Sequence, residues 1–396
     1  MEESMKRIYI FTGKGGVGKS SVAAAHAIKS AKEGKRTLLV STDMAHNLGD
    51  IFEQKLGKEP VNVAPLLDAY EIDPNFVMEN DFKEMTSCLG KLLQSQDQNS
   101  MEDFGMLPGM DELFSLLKIE EIYRTENYER IMVDCAPTGE TLSLLKFPEL
   151  LSWYMEKLFP IGKVAVRLMS PISKQFFKVE LPNKTAMNDI ERMYLKLAEL
   201  QELLKNREIT SVRLVTMPEK MVVEETKRNF MYMNLYDFNV DGIYINRILP
   251  IDINNDFFKQ WIKIQKKYIK ELEDSFGMLP IYRIPWYDEE LKGMHAVERI
   301  CQDALTKEDI FDAKVINKEE SFEQNEEGYL LQVSLPYALK ENMDLYKSGT
   351  DVVIKLCNFK RNIPLPNVLR TYEISSAKLK DGILSIQFVK GDQENE

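Results

Sequence analysis

The chain has few of the residues from which disulfide frameworks and zinc sites are built. Its 396 residues include four cysteines and three histidines, and no two cysteines form a C-x-x-C pair. The cysteines are far apart in the sequence, at Cys88, Cys135, Cys301 and Cys357. This spacing favours four reduced thiols in a protein core and argues against a disulfide-stapled fold or a zinc site.

Long apolar runs and an excess of basic residues are also missing. No apolar run approaches the roughly 20 residues that a membrane-spanning helix needs, and the N-terminus lacks the apolar stretch of a signal peptide. The net charge is −12, which argues against a surface that neutralises nucleic-acid phosphates. We therefore expect a cytoplasmic protein that binds no nucleic acid and does not insert directly into a membrane.

The sequence does contain a regular alternation of short apolar, β-branched runs with helical stretches. The runs cover residues 8–11, 37–40, 131–133, 212–215 and 243–245. Strands separated by helices predict an α/β fold with a mostly parallel sheet flanked by helices, and ligands bound beyond the carboxyl ends of the strands. A chain of this length exceeds what one hydrophobic core usually serves, so a second domain is expected.

Three further segments differ from this pattern. Residues 148–187 mix aromatic and methionine side chains with prolines, which predicts an insertion of short helices. Residues 311–327 include a stretch rich in Glu, Asn and Gln and are predicted to be a linker. Residues 328–390 combine strand-like runs with turn signals such as Asp381-Gly382, which predicts a small all-β sandwich. The α/β domain is accordingly placed at residues 1–310.

Residues 13–20, GKGGVGKS, fit the phosphate-binding pattern G-x-x-x-x-G-K-[ST], between a predicted strand and an alanine-rich helix. The glycines allow backbone N–H groups to close on a phosphate, and the helix N-terminus adds partial positive charge. We expect Lys19 to contact the β- and γ-phosphates and Ser20 to bind Mg²⁺. The predicted nucleotide-binding residues of this loop are Gly13, Lys14, Gly15, Gly16, Val17, Gly18, Lys19, Ser20 and Ser21.

Two aspartates follow other predicted strands. Asp43 comes after the second strand, where a catalytic carboxylate would orient water toward a γ-phosphate. Asp134 follows the apolar run 131–133 and fits the Walker B pattern, in which a carboxylate holds Mg²⁺ through its water shell. The Pro-Thr-Gly sequence at residues 137–139 predicts a hinge that senses the γ-phosphate. Together these residues predict an ATP-hydrolysing enzyme that uses Mg²⁺.

These motifs resemble one family. GKGGVGK, STDMAHN at residues 41–47 and DCAPTGET at residues 134–141 are similar to the ArsA-type branch of deviant Walker A ATPases, which includes arsenite-pump and tail-anchored-protein targeting ATPases. In that branch a lysine at the position of Lys14 crosses a dimer interface to the partner's nucleotide. The resemblance therefore implies a homodimer with Lys14 as a catalytic residue, whereas a solvated loop lysine is the alternative. Met44, Cys135 and Glu140 depart from the family's usual strings.

Further positions resemble the family's nucleotide contacts. Asn246, at the end of the fifth predicted strand, matches an asparagine that reads adenine, and Glu219 matches another contact. Pro285 and Trp286 begin a string similar to the loop that covers the base. A GTPase would need an N/T-K-x-D string after a strand, but residues 306–309 follow a predicted helix. We therefore expect ATP rather than GTP as the nucleotide.

The C-terminal region resembles a second family. The strings AKLKDGIL at residues 377–384 and NIPLP at residues 362–366 are similar to signatures of the small heat-shock (α-crystallin) domain. The I-x-I tail with which such domains build large oligomers is absent from the sequence. The resemblance implies a β-sandwich that docks a partner and not an oligomeric holdase.

The sequence leaves the partner open. An ATPase coupled to a membrane partner protein predicts stimulation by an oxyanion, although the four scattered cysteines provide no thiol cluster for arsenite. A targeting ATPase predicts capture of apolar client segments. Residues 148–187 could form a hydrophobic groove for such a segment, and the alternative is that they form ordinary helices that cover the sheet. The alternative is a nucleotide-switched chaperone or adaptor in which hydrolysis only resets the switch.

Overall fold

The computed structural model describes residues 6–43, 47–86, 110–135, 189–253, 255–312, 314, 320–349, 351–369 and 371–390. The chain falls into two compact units. One comprises Met1–Leu144, Asp189–Asn229 and Asn239–Ile316, and the other Leu145–Asn188, Phe230–Phe238 and Asn317–Glu396. The helical insertion predicted at residues 148–187 lies outside the described residues. The proposed boundaries at residues 310 and 327 stay predictions.

An eight-stranded sheet forms the centre of the first unit. Its strands run in the spatial order β3-β4-β2-β5-β1-β6-β7-β8, and every neighbouring pair is parallel except β3 and β4. In chain order they are β1 Arg7–Thr12, β2 Thr37–Ser41, β3 Val61–Ala64, β4 Leu67–Glu71, β5 Arg130–Asp134, β6 Thr210–Thr216, β7 Val240–Ile248 and β8 Ile281–Pro285. The predicted α/β class is confirmed, and each of the five apolar runs lies within a strand.

Helices connect these strands. They are α1 Lys19–Lys32, α2 Asn47–Phe52, α3 Pro74–Phe76 with a π-helical turn at Val77–Asp81, α4 Met110–Thr125, α5 Asp189–Lys205, α6 Lys220–Leu235, α7 Asp256–Phe276 and α8 Met294–Asp303, followed by a 3₁₀ turn at Glu308–Phe311. Among the described residues, we find no helix with the length and apolar character needed to span a bilayer.

The central strands are buried on both faces, which explains their continuous apolar runs. All six residues of β1 and all five of β2 are buried. Helix α1 packs on this sheet through small side chains, because Ala23, Ala24, Ala25 and Ala27 are fully buried. Small residues let the helix axis approach the sheet closely. The sequence between β1 and α1 is consequently held on two sides by rigid elements.

A buried polar network ties three central strands to the end of this unit. Arg213 on β6 is 3% exposed and pairs with Asp241 on β7, with its Nε 3.3 Å from Oδ1. It also donates a hydrogen bond to the hydroxyl of Tyr244 at 3.1 Å and another to the carbonyl oxygen of Ile310. At the start of β1, Arg7 donates to the Phe311 carbonyl at 2.7 Å. The 3₁₀ turn is thereby bound to the sheet.

His26 of α1 belongs to the same network as a neutral side chain. Its Nδ1 donates to the Val22 carbonyl at 2.7 Å, so its Nε2, 2.9 Å from the Tyr244 hydroxyl, is the acceptor of that second bond. Burial, with the Arg213 charge as a further cause, lowers the pKa of His26 well below its usual value. The network therefore contains two cations, Arg7 and Arg213, and the Asp241 carboxylate compensates the charge of Arg213.

The second unit is antiparallel, as predicted for the C-terminal region. Its strands form a four-stranded sheet in the order β14-β15-β10-β9 and a three-stranded sheet in the order β11-β12-β13. Their bounds are β9 Ser321–Asn325, β10 Gly328–Ser334, β11 Met343–Ser348, β12 Asp351–Leu356, β13 Phe359–Pro364, β14 Tyr372–Lys380 and β15 Ile383–Lys390. The predicted turn Asp381-Gly382 joins β14 and β15, with φ values of 50° and 72°.

The segment 230–238 packs within the second unit against strand β13. The rings of Tyr232 and Phe359 are 3.7 Å apart between centroids. The Tyr236 hydroxyl donates to the Lys360 carbonyl at 3.1 Å, and Arg361 donates to the Leu235 carbonyl. Helix α6 therefore begins among residues of the first unit and ends among residues of the second.

The buried pair Arg213–Asp241 generates a stability prediction. We expect Arg213→Leu to lower the free energy of unfolding by about 3–5 kcal/mol, because Asp241 is left buried without its cation. Adding Asp241→Asn should restore part of the loss. The control is Arg283→Leu, since the Arg283–Glu273 pair is largely exposed and should be worth about 0–1 kcal/mol. Urea denaturation gives the free energy of unfolding of the wild type and of the three variants. Equal losses of stability in Arg213→Leu and Arg283→Leu would contradict the interpretation.

Candidate functional site

The predicted phosphate-binding loop lies between the end of β1 and the start of α1. A Cβ atom on Gly13 would be 2.2 Å from the Val215 carbonyl oxygen of β6, so only glycine fits there. Gly18 has a φ of 91°, and a Cβ on it would be 2.3 Å from Nδ2 of Asn246. The two glycines that open and close the motif are therefore required by the close approach of neighbouring elements.

The N-terminus of α1 is open for an anion. Gly18 caps the helix without a side-chain hydrogen bond, and the first turn contains no acidic residue. The free N–H groups of such a terminus and its partial positive charge favour phosphate binding. Lys19 begins the helix with a buried side chain, whereas Ser20 and Ser21 are half-buried. The loop has the backbone and charge that a triphosphate requires.

Asp134 at the end of β5 is a buried carboxylate, 1% exposed. Neither of its oxygens has a hydrogen-bond partner with good geometry among the described residues. Burial raises its pKa to about 6, and the Asp43 carboxylate adds to the increase. The Ser20 hydroxyl and the Lys19 ammonium act in the opposite direction, which places both close to Asp134.

A divalent cation fits this position. Mg²⁺ prefers oxygen ligands and often binds through one or two carboxylates and retained waters. Neither oxygen of Asp134 has a well-aligned hydrogen bond among the described residues, and the Ser20 hydroxyl is near enough to favour the ionised carboxylate. The donor set is therefore the one predicted from the sequence for Mg²⁺.

Strand pairing brings Asp43 to the same place. In the register of β2 and β5, Ser41 lies opposite Asp134, and the Thr42 N–H donates to the Asp134 carbonyl at 3.0 Å. The Thr42 hydroxyl is 3.8 Å from the Cys135 sulfur, and Cys135 is buried. The Asp43 N–H donates to the Ser41 hydroxyl at 3.1 Å. Its role in orienting water stays a prediction, and residues 44–46 lie outside the described residues.

Asn246 holds the loop in this structure. Its Nδ2 donates to the Val17 carbonyl at 2.8 Å, and its Oδ1 accepts from the Arg247 N–H at 2.8 Å. Arg247 has a φ of 55°, an uncommon value outside glycine. The asparagine therefore links the end of β7 to the P-loop across a large sequence distance. The predicted adenine contact of Asn246 is not tested by this geometry and stays a prediction.

The remaining predicted residues share this edge of the sheet. Glu219 follows β6 and is exposed, and Pro285 ends β8. The Trp286 side chain is 52% exposed, and the backbone N–H of this residue donates to the Ile248 carbonyl at 2.9 Å. Because β2, β5, β1, β6, β7 and β8 are parallel neighbours, the carboxyl ends of these six strands line up at one edge. The predicted site residues follow these ends in the same spatial order.

The N/T-K-x-D letters at residues 306–309 do not form a guanine-reading strand end. They follow helix α8, and Glu308 already belongs to a 3₁₀ turn. The Asp309 carboxylate pairs with Lys314 at 2.7 Å. This string therefore offers no argument for GTP.

One charged residue near the loop, Glu225, could not be predicted from the sequence. Lys14 pairs with Glu225 on the second turn of α6, with 3.6 Å between Nζ and Oε2. A glutamate inside an amphipathic helix usually indicates a solvated face. No local signal distinguishes Glu225 from Glu224 beside it, and only the folded arrangement of α6 and the loop identifies it.

The buried carboxylate generates a prediction for the protein without Mg²⁺ and nucleotide. The pKa of Asp134 in the folded state lies above its ordinary value, so stability falls as the pH rises from that value to about 6. Above this pH, Asp134→Asn should be more stable than the wild type by about 1–3 kcal/mol in EDTA. The difference should shrink toward pH 4.5.

Denaturant titrations in EDTA at pH 7.5 and 4.5 test this expectation. The control is Asp274→Asn, at an exposed position of α7, which should leave stability within about 0.5 kcal/mol. Adding Mg²⁺ at pH 7.5 should stabilise the wild type more than Asp134→Asn. A loss of stability in Asp134→Asn at pH 7.5 would mean that the carboxylate has structural partners in the folded protein.

Comparison with known proteins agrees with this geometry. The family model described as anion-transporting ATPase matches residues 6–306, and a model described as an HSP20-like domain found in ArsA matches residues 326–388. A protein named putative arsenical pump-driving ATPase 1 from Aquifex aeolicus is 33% identical over 393 residues, covering 96% of this chain and 99% of that protein.

Two further relatives show the breadth of the similarity. A putative arsenical pump-driving ATPase of Chlorobaculum tepidum is 34% identical over 387 residues, or 96% of each chain. A protein named ATPase get3 from Pyrenophora tritici-repentis is 30% identical over 319 residues, covering 76% of this chain and 91% of that protein. With a family model that covers well over half of its length, the chain belongs to the anion-transporting (ArsA-type) ATPase family and is an ATPase with a C-terminal HSP20-like region.

Proposed function

We propose that this ATPase works as a homodimer in which two protomers close on two molecules of ATP. The observation that carries the nucleotide site is the buried carboxylate of Asp134, which lies beside Ser20 and Asp43 next to the P-loop. The dimer rests on the resemblance of Lys14 to the family's extra lysine and on the partial exposure of this side chain. Lys19 and the N-terminus of α1 bind the β- and γ-phosphates. Ser20 and Asp134 hold Mg²⁺, which supplies charge that offsets that of the phosphates.

Asp43 and Lys14 have separate roles around the γ-phosphate. Asp43 orients the attacking water, and hydrolysis needs no covalent intermediate because positioning and charge suffice. Lys14 is 38% exposed, so its ammonium is available to a second molecule. In the closed dimer it contacts the partner's phosphates and stabilises the charge that develops there. Hydrolysis and phosphate release then reopen the dimer.

The nucleotide cycle is coupled to a client or partner protein. Relatives of this chain carry names that refer to an arsenical pump and to get3. The resemblance of the sequence motifs covers both an anion-transport type and a protein-targeting type. Of the three described thiols, Cys357 is exposed, so the expectation that all cysteines lie in a core is wrong for this residue. The other two argue against arsenite as a ligand here. Cys135 is buried, and burial raises the pKa of Cys301 to about 11 while its sulfur lies 3.1 Å from the Ala25 carbonyl.

The second candidate function is a nucleotide-switched chaperone or adaptor, in which hydrolysis only resets the switch. The observation that favours it is the antiparallel C-terminal region that matches an HSP20-like domain. Such a domain would dock a partner and leave the ATPase cycle to set the timing. Both candidates use the same nucleotide site and differ in what the closed state holds.

The catalytic assignments can be tested by turnover. Lys14→Ala and Asp43→Asn should each lower the ATPase rate by about 100-fold or more, because each removes a group that acts in the transition state. Calorimetry should show Mg·ATP binding retained within a few-fold in Asp43→Asn. Lys32→Ala is the control, since this lysine ends α1 and pairs with Glu298 at 3.0 Å. Full turnover in both site variants would refute the mechanism.

The coupled output can be tested with the hydrolysis-blocked protein. ATP-bound Asp43→Asn should retain an apolar helical peptide at least tenfold better than the nucleotide-free protein if targeting is the function. Arsenite or antimonite should raise wild-type turnover by less than about twofold, because Cys135 is buried, the Cys301 thiol has a raised pKa, and the exposed Cys357 belongs to no ligand cluster among the described residues. Strong oxyanion stimulation with no peptide capture would instead support the transport type.

A further inference from the structure

The two lysines of the P-loop have different surroundings. Lys19 is buried and lies close to Asp134. Lys14 extends away from this pocket to helix α6, where Glu225 meets it at 3.6 Å. Both partners of the second pair are partly exposed, Lys14 by 38% and Glu225 by 26%. The pair is therefore accessible to a competing anion.

The position of Glu225 is set by buried contacts of its own helix. The next residue, Thr226, is buried, and its hydroxyl donates to the Val222 carbonyl and accepts from the Thr216 hydroxyl of β6, each at 2.8 Å. The bond to Thr216 joins α6 to β6 and fixes the rotation of the helix about its axis, so that position 225 meets the P-loop. Glu224, one residue earlier, is instead 48% exposed and lies 3.8 Å from Lys227.

From this arrangement we infer that Glu225 is a positioning residue, which holds Lys14 within its own protomer until a partner's nucleotide competes for it. The inference rests on the proposed function, in which Lys14 contacts the partner's phosphates. Closure then exchanges one carboxylate for phosphate groups that carry more negative charge and more acceptor oxygens. Glu225 thereby opposes closure when the partner site is empty and yields when it is occupied.

The strength of a partly exposed pair sets the size of the effect. Such pairs contribute little free energy in water, and losing one changes an equilibrium constant by about two- to fivefold. A contact of this strength biases the position of Lys14 without trapping it. A fully buried pair would not be exchanged, since breaking it leaves an uncompensated charge in the protein interior.

The test is Glu225→Gln in the full-length protein. The ATP concentration for half-maximal turnover should fall about two- to fivefold, whereas kcat should stay within about twofold because Lys14 has left Glu225 in the closed state. ATP-dependent dimer formation, followed by light scattering in the Asp43→Asn background, should shift by the same factor. Glu225→Asp should restore wild-type behaviour in part. A purely structural loss at position 225 would lower kcat and thermal stability without lowering KM.

Two controls make the outcome decisive. Glu224→Gln removes the same charge from the same helix and should change KM by less than about 1.5-fold, because its carboxylate pairs with Lys227. In the Lys14→Ala background, Glu225→Gln should leave ATP affinity unchanged in calorimetry. An unchanged or raised KM in Glu225→Gln, or an equal effect of Glu224→Gln, would overturn the inference. Full turnover in Lys14→Ala would overturn the proposed function itself, whatever Glu225→Gln does.

Discussion

The burial of the Asp134 carboxylate is the constraint on which the site depends. It ends the strand between β2 and β1, so the loop carrying Asp43 and the P-loop lie on its two sides. Burial and the nearby Asp43 charge disfavour its ionised form, while Ser20 and Lys19 favour it. The properties that make this carboxylate unfavourable in the empty protein are those that favour a cation beside it. Under the proposed function, the free-energy cost of this buried charge and the binding of Mg²⁺ are therefore one feature of the sheet edge.

The surrounding structure has to hold this edge rigid. Strand β1 is fixed at its start by Arg7, which bonds to the Phe311 carbonyl, and at its end by the close contact of Gly13 with Val215. Asn246 then fastens the loop itself through the Val17 carbonyl. These contacts come from β6, β7 and the 3₁₀ turn, all distant in sequence. The phosphate-binding geometry is consequently a property of the whole sheet and not of the motif alone.

The strands that carry the site could be predicted from the sequence because they are buried on both faces and read as continuous apolar runs. Strands β3, β4 and β8 could not, because they are not buried throughout: β3 contains no buried residue, and β4 and β8 mix buried residues with partly exposed ones. The positions of Asp43 and Asp134 followed from strand ends. The link from Asn246 to Val17 did not, because a side-chain bond over 229 residues leaves no local pattern. Glu225 was missed for the same reason.

Burial also separates the two kinds of ion pair in this protein. Arg213 and Asp241 are almost completely buried. If either charge moved away, the other would remain in the protein interior without a compensating charge. Lys14 and Glu225 are partly exposed, so water stabilises both when they part. A charge that must act on a second molecule has to be held in a definite position and still be released at small cost. Only a pair of the second kind meets both conditions, and in the P-loop it is formed by the lysine that the buried pocket does not use.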